Sequence, residues 1–172
     1  MKLLSEYAGQ RIFFEQPSFW KRYHELKVND EVIATIEQKG YFVKTRWLVT
    51  IDGKTWEMYR KSRWRSSMCI RESGFEIPLA ETLREGFRGR WLLKLPKGER
   101  LKILPHLFKY FCEIKNETGD RLIMIKSKRT YKDKADVLIE KKSDIIDKYP
   151  WIVVLAHIVM IQIKRRASHS AA

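Results

Sequence analysis

The chain contains one long apolar stretch, Tyr149-Pro-Trp-Ile-Val-Val-Leu-Ala-His-Ile-Val-Met-Ile-Gln-Ile163, which is followed by Lys164-Arg165-Arg166. The thirteen residues from Trp151 to Ile163 carry no formal charge and have no polar face. A helix that is apolar on every side must be enclosed by protein or by lipid. Thirteen residues form a helix of about 20 Å, which is shorter than the roughly 30 Å hydrocarbon core of a bilayer. The length favours enclosure by protein, with a short membrane anchor as the alternative.

Signals at both ends delimit this helix. Ser143-Asp144 offers a start, and Pro150 is tolerated in a first helical turn. The cations after Ile163 suit a helix C-terminus. We therefore predict a central helix at about 148–164. His157 and Gln162 are polar groups that would be unfavourable in lipid, which again favours burial in protein.

Length and composition are those of one globular domain with a strong positive charge. The chain has 172 residues, of which 44% are hydrophobic and 12% aromatic. Its formal net charge of +14 favours an anionic partner: nucleic acid, an acidic membrane surface or an acidic protein. Two cysteines, Cys69 and Cys112, lie far apart in strand-like segments, and we expect both to be reduced core residues.

Short apolar alternating segments, separated by turn residues, fill the chain before the helix. Asn29-Asp30 and Asp52-Gly53 are hairpin turn signals. Val32, Ala34 and Ile36 are predicted to share one face of a strand, and a strand is predicted from Phe75 through Ile77 to Leu79. The segments lie around 11–15, 23–28, 32–36, 41–51, 56–59, 65–72, 75–79, 91–95, 101–103, 108–114, 122–128 and 135–141. About twelve strands at this spacing predict an all-β sandwich or barrel.

Twelve strands followed by one apolar helix resemble the tubby C-terminal-like fold of tubby proteins, phospholipid scramblases and plant LURP-one-related proteins. The resemblance runs from Arg11 to Arg166. It rests on the strand count, on hairpins such as Glu113-Ile-Lys-Asn-Glu-Thr-Gly-Asp-Arg-Leu122, and on the helix in last position. It implies a mainly β fold, a closed antiparallel barrel of about twelve strands that encloses the helix. The domain would span 1–166, with a flexible tail at 167–172.

The resemblance implies a class of binding partner, but we infer no activity from it. The sequence has no cysteine cluster like that of scramblases, and Thr130-Tyr-Lys-Asp-Lys-Ala135 is too basic for a calcium loop. Scramblase activity is therefore not inferred. Tubby domains bind phosphoinositides, so the resemblance implies anionic phospholipid as the class of partner.

The histidines and acidic residues predict no catalytic or metal site. The sequence contains His24, His106, His157 and His169, and none has a second His, Cys or carboxylate at metal-ligand spacing. The acidic residues are scattered among basic ones. We expect no enzymatic activity, no cofactor and no metal. His157 is expected to be a core residue that is hydrogen-bonded to a neighbour, with a proton relay or pH sensor as the alternative.

Three clusters of cations that flank an aromatic residue carry the functional signal. They lie around Trp64, beside Trp91 and around Tyr131. Lysine and arginine beside an aromatic suit phosphate headgroups or nucleic-acid backbones. A solvated surface that keeps a small barrel soluble is the alternative. The candidate headgroup ligands are Lys126, Lys128, Arg129, Lys132, Lys134, Arg63 and Arg65.

These features predict a non-enzymatic binding module for anionic phospholipid headgroups. Nucleic-acid binding by the same charges is one alternative, and a tail-anchored membrane protein that uses the apolar segment is the other. Glu6 falls where a signal sequence would need its apolar region, so we expect a cytoplasmic protein that is peripheral at the membrane.

Overall fold

The computed structural model describes residues 3–18, 22–40, 45–61, 67–86, 89–106, 109–128 and 134–170, with side chains as far as residue 165. A short 3-10 helix, Leu4–Tyr7, precedes twelve strands. These are β1 (Ile12–Glu15), β2 (Tyr23–Val28), β3 (Glu31–Lys39), β4 (Arg46–Ile51), β5 (Lys54–Arg60), β6 (Met68–Glu72), β7 (Ala80–Glu85), β8 (Arg90–Lys94), β9 (Arg100–His106), β10 (Phe111–Lys115), β11 (Arg121–Ser127) and β12 (Ala135–Ile139). Two helices follow, α1 (Asp144–Lys148) and α2 (Trp151–Ser170).

The strands form one closed antiparallel barrel around α2. Each strand pairs with its neighbours in the sequence, and β1 pairs with β12 to close the sheet, with Ile12 opposite Val137. Every residue of α2 from Trp151 to Ile161 is buried. No helix in the described part of the chain is long and apolar enough to cross a bilayer. The predicted fold class and the protein-enclosed helix are confirmed.

The core is a single cluster that joins the inner face of the barrel to α2. Successive strand residues point to opposite faces, so β4 directs Trp47, Val49 and Ile51 inward. Cys69 and Cys112 are both buried free thiols, as predicted for core residues. Burial raises the pKa of the Cys112 thiol far above its ordinary value.

The C-terminal helical region differs from the prediction at both ends. It is divided at Tyr149 and Pro150, because proline lacks the N–H that a continuous helix would use. Ser143 precedes α1 but makes no capping hydrogen bond through its side chain. α2 continues to Ser170, beyond the predicted end at 164, since no glycine or proline interrupts the residues after Ile163.

The seventh strand lies later in the chain than predicted. Residues 75–79 form no strand, and Phe75 and Ile77 are 62% and 82% exposed. Pro78 cannot donate to a sheet, and β7 begins after it at Ala80. The inward residues of β7 are Ala80 and Thr82, which are small or polar, so hydrophobic alternation did not reveal this strand.

A β-bulge in β3 places Val32 on the opposite face of the strand from the one predicted. Ala34 lies opposite Leu26 whereas Val32 lies opposite Lys27, which leaves Ile33 as the extra residue. Ala34 and Ile36 are buried as predicted, but Val32 is 42% exposed. The prediction for Val32 was wrong because the bulge reverses its direction.

The seam between β6 and β7 is held by few backbone pairs and by one threonine. Only Cys69 with Glu81 and Ile70 with Ala80 are in register across the described part of this seam. Beyond them, the Thr82 hydroxyl accepts from the Met68 N–H at 2.8 Å and donates to the Met68 carbonyl at 3.3 Å. Thr82 is completely buried, so its side chain replaces the missing ladder bonds.

Thr82→Val is therefore expected to destabilise the barrel by about 1–3 kcal/mol, because the buried N–H of Met68 loses its partner. Thr55→Val is the matched control, since the half-buried Thr55 hydroxyl bonds, among the described residues, only to the hydroxyl of Thr50, at 3.0 Å. Urea unfolding of both variants would measure the difference. Equal stability of the two variants would contradict this role for Thr82.

Candidate anion-binding surface at one end of the barrel

The connections between strands lie alternately at the two ends of the barrel, because neighbouring strands are antiparallel. Connections that follow odd-numbered strands lie at the end where α2 finishes. Three contacts show this position: Arg60 donates to Gln162 at 2.6 Å, Arg165 donates to Gln38 at 2.8 Å, and Lys164 donates to Ser127. Connections that follow even-numbered strands lie at the opposite end, where α2 begins.

Among the described residues outside the strands, the two ends of the barrel carry opposite net charge. At the end where α2 finishes, the described residues outside the strands include seven cations and no carboxylate: Arg22, Lys61, Lys109, Lys128, Lys134, Lys164 and Arg165. We call this the cationic end. The corresponding residues of the other end include Glu6, Asp30, Asp52, Glu76, Glu99, Glu117, Asp120, Glu140, Asp144 and Asp147, against Arg11, Lys97, Lys141, Lys142 and Lys148. We call this the acidic end.

The described members of the predicted headgroup ligands all lie at the cationic end. Lys126 is exposed near the end of β11. Lys128 pairs with Asp136, with 2.9 Å between Nζ and Oδ1, and Lys134 pairs with Glu15, with 2.6 Å between Nζ and Oε1. Arg63, Arg65, Arg129 and Lys132 lie outside the described residues.

Ion pairs divide these cations into two groups. Glu15 also accepts a hydrogen bond from Lys27 at 3.2 Å, and the bonds from Lys134 and Lys27 lower the pKa of the Glu15 carboxyl. Lys134 is thus committed to a strand-end ion pair. Lys61, Lys109 and Lys126 are exposed and make no salt bridge or side-chain hydrogen bond with the described part of the chain. Their charges are therefore available to a ligand at the cationic end.

The described members of the other two predicted clusters lie at the same end. Arg60 is the last residue of β5, Arg84 lies near the end of β7, and Arg90 begins β8. Sequence reasoning found the three clusters but did not place them together. It missed Arg22 and Lys109 as members. Summing charge over alternate connections of the predicted twelve strands would have found Arg22, whereas Lys109 fell inside the predicted strand at 108–114.

The end of α2 is fixed to the barrel wall beneath this surface. Arg165 lies with its guanidinium carbon 5.8 Å from the centroid of the Trp47 ring, in addition to its bond with Gln38. Gln162 accepts from Arg60 and donates to the Met68 sulfur at 3.6 Å, which explains a polar residue late in an apolar helix. These contacts attach the C-terminal part of α2, and the cations on it, to the barrel wall.

His157 is a core residue, as predicted, but its environment is aromatic. Its ring stacks on Phe14 with centroids 3.9 Å apart and meets His24 edge-on at 5.7 Å. Neither ring nitrogen has a hydrogen-bond partner in the described part of the chain, so the predicted hydrogen bond was wrong. Burial, with smaller effects from His24 and Lys164, lowers the pKa of His157 well below its ordinary value. The ring is neutral at pH 7.

Comparisons with known proteins show the fold. No protein-family model matches the sequence, and no curated protein matches it. The X-ray structure of an Arabidopsis thaliana protein of the LURP-one-related type matches with a TM-score of 0.62 and 12% identity, over 92% of this chain and 96% of that one. At this identity the likeness shows the fold alone. The chain shares its fold with a LURP-one-related protein, as the strand pattern and the final helix predicted.

Proposed function

We propose that this chain is a non-enzymatic binding module that docks on an anionic phospholipid surface through the cationic end of its barrel. The observation that supports the proposal is the separation of charge between the two ends: outside the strands, the described residues of one end include seven cations and no carboxylate. Each lysine or arginine near an anionic membrane surface contributes about 1 kcal/mol. Phospholipid is also the partner class that the tubby-like resemblance implies.

The arrangement of the cations suits an extended surface. Arg22, Lys61 and Lys109 follow β1, β5 and β9, so they are distributed around the rim of the barrel. A planar sheet of headgroups contacts such a rim at many points at once. In the sequence, the same connections also contain Trp20 and Trp64, which lie outside the described residues. Aromatic side chains of this kind favour the boundary between headgroups and acyl chains.

Co-sedimentation with vesicles tests the partner. We expect binding to phosphatidylcholine vesicles that contain phosphatidylserine or a phosphoinositide, and little binding to phosphatidylcholine alone. Binding should weaken as salt rises from about 0.15 M, because exposed charges are screened. Equal binding to neutral and anionic vesicles would overturn the proposal. Release from the vesicles by duplex DNA, with retention on DNA at moderate salt, would favour the nucleic-acid alternative instead.

Two triple variants test the surface. Lys61→Gln, Lys109→Gln and Lys126→Gln together remove three exposed charges at or near the cationic end. Lys54→Gln, Lys97→Gln and Lys142→Gln remove three exposed charges at the acidic end and leave the net charge the same as in the first variant. At about 1 kcal/mol per residue, the first variant should bind anionic vesicles about 100-fold more weakly. Equal weakening of both would show that net charge, and not this end, governs binding.

A further inference from the structure

Residues 73–79 connect β6 to β7 at the acidic end of the barrel, and we call them the β6–β7 loop. Two large apolar side chains of this loop lie in solvent, since Phe75 is 62% exposed and Ile77 is 82% exposed. Singly exposed hydrophobic residues are common on protein surfaces, whereas a cluster of them marks an interaction site. The alternation of Phe75, Ile77 and Leu79 predicted a strand, so the fold alone does not account for these two side chains.

Backbone hydrogen bonds hold the β6–β7 loop at both of its ends. The Ser73 N–H donates to the Thr55 carbonyl at 2.8 Å, and the Leu79 N–H donates to the Ile70 carbonyl at 2.8 Å. Leu79 also packs against the core. Gly74 has a φ of +90°, which places the tight turn at a residue without a side chain. A loop with a fixed conformation loses little freedom when a partner binds.

A half-buried tryptophan lies beside the base of the loop. Trp56 is opposite Glu72 in the register of β5 and β6, and the loop begins at the next residue, Ser73. Trp56 packs against the core but remains partly accessible. Aromatic residues are enriched at protein–protein interfaces, so Trp56 adds to the apolar surface that the loop presents.

The charge of this region indicates the kind of partner. Glu72 and Glu76 are both exposed and lie on either side of Phe75 in the sequence, and residues 72–79 include no lysine or arginine. Outside the strands, the described residues of the same end have more carboxylates than cations. Carboxylates beside apolar side chains disfavour an anionic membrane and favour a cationic protein surface.

We propose that the β6–β7 loop is a docking site for a protein segment in which apolar side chains are flanked by lysine or arginine. The apolar side chains of that segment cover Phe75 and Ile77, and its cations lie against Glu72 and Glu76. The inference does not rest on the proposed membrane function. A barrel that docks on a membrane through its cationic end presents this loop on the opposite side, where a soluble protein reaches it.

Three designed helical peptides of about 18 residues, or five turns, test the site in the absence of lipid. One has a leucine face and a lysine face, the second has glutamate in place of lysine, and the third has serine in place of leucine. By fluorescence anisotropy, we expect the leucine–lysine peptide to bind about 10-fold more tightly than either of the others. It should shift the amide resonances of Phe75, Glu76 and Ile77. No binding of this peptide, equal binding of the leucine–glutamate peptide, or shifts confined to other residues would overturn the proposal.

Two double variants test the apolar side chains. Phe75→Ser with Ile77→Ser should weaken binding of the leucine–lysine peptide about 10-fold or more, because both side chains that the peptide covers are lost. Leu83→Ser with Leu138→Ser is the matched control, since it removes two exposed leucines from strands outside the loop. The control should bind the peptide as the parent protein does. An equal loss of affinity in both variants would contradict a site at the loop.

Two further double variants test the carboxylates. Glu72→Gln with Glu76→Gln should weaken binding of the leucine–lysine peptide about 10-fold, because the complementary charge is removed. Glu31→Gln with Glu117→Gln changes the net charge equally at exposed positions of the acidic end outside the loop. This pair should bind as the parent does. Equal weakening by the two pairs would mean that the charge of the whole end, and not the loop, governs binding.

The variant with serine at both apolar positions also separates a protein partner from lipid and from a second copy of the chain. It should co-sediment with phosphatidylserine vesicles to the same extent as the parent, and both should have the same mass by analytical ultracentrifugation. Weaker vesicle binding by the variant would show that the loop contacts lipid. A lower mass would show that the loop joins two copies. Either result would overturn the proposed partner.

Discussion

Val154→Asp is expected to unfold the protein. Val154 is completely buried near the start of α2, inside the closed barrel. An aspartate there would place a carboxylate among aliphatic side chains at a cost on the order of several kcal/mol. That cost is comparable to the whole stability of a typical domain, about 5–15 kcal/mol. Circular dichroism should show no cooperative thermal transition, and size-exclusion chromatography should show aggregated protein.

The matched control places the same charge on the outside of the barrel. Leu138 lies on β12 and is 51% exposed, so Leu138→Asp leaves the carboxylate in water. We expect this variant to keep a cooperative transition near that of the parent protein. A Val154→Asp protein that melts like the Leu138→Asp protein would show that α2 is not the centre of the core.

The stability of the barrel is expected to fall as the pH drops below about 6.5, because of His157. In the unfolded chain a histidine titrates near pH 6.5. In the folded chain the pKa of His157 lies well below that, chiefly through burial and then through His24 and Lys164. Just below pH 6.5, His157 is therefore protonated in the unfolded state but remains neutral in the folded state. Protonation favours unfolding, by up to about 1.4 kcal/mol per pH unit for one group.

Urea unfolding between pH 7.5 and 5.5 measures this effect. The window separates His157 from Glu15 and Glu113, whose pKa values are lowered in the folded protein and whose contribution is lost only in more acidic solution. For Glu113, burial opposes the shift, but hydrogen bonds from Arg121 and His106 outweigh it. His157→Gln should reduce the slope of stability against pH. An unchanged slope in that variant would mean that another group causes the acid sensitivity.

The number of strands and the apolar helix could be predicted because each leaves a local mark, whereas the closure of the barrel was expected only from the resemblance to the tubby C-terminal-like fold. Eleven predicted strands overlap observed ones in order, since large apolar residues alternate along them. The seventh strand was predicted too early in the chain, because the inward residues of β7, Ala80 and Thr82, are not large and apolar. The outward direction of Val32 depends on a bulge, and the contact between Ser5 and Asp147 joins residues 142 positions apart. Neither has a local signal.

Some features of the surface could likewise be predicted from the sequence, and others could not. The cationic clusters were visible in the sequence, but their common position follows only from the alternation of connections in a closed antiparallel sheet. A cleft at the acidic end is lined by Tyr7 of the 3-10 helix, Glu31 at the start of β3 and Asp52 in the turn after β4. No spacing in the sequence relates them. The aromatic stacking of His157 on Phe14 was unpredictable for the same reason.

Energy transfer from a donor at each end of one strand tests whether the cationic end docks on anionic membranes. Lys54 begins β5 and Lys61 follows its last residue, roughly 23 Å further at 3.3 Å per residue. Cys69 and Cys112 are buried, so Lys54→Cys and Lys61→Cys each give one accessible labelling site and remove one cation. With an acceptor on the headgroups of phosphatidylserine vesicles, docking through the cationic end predicts strong transfer from a donor at 61 and weak transfer from a donor at 54. Equal transfer from the two positions, or stronger transfer from 54, would contradict it.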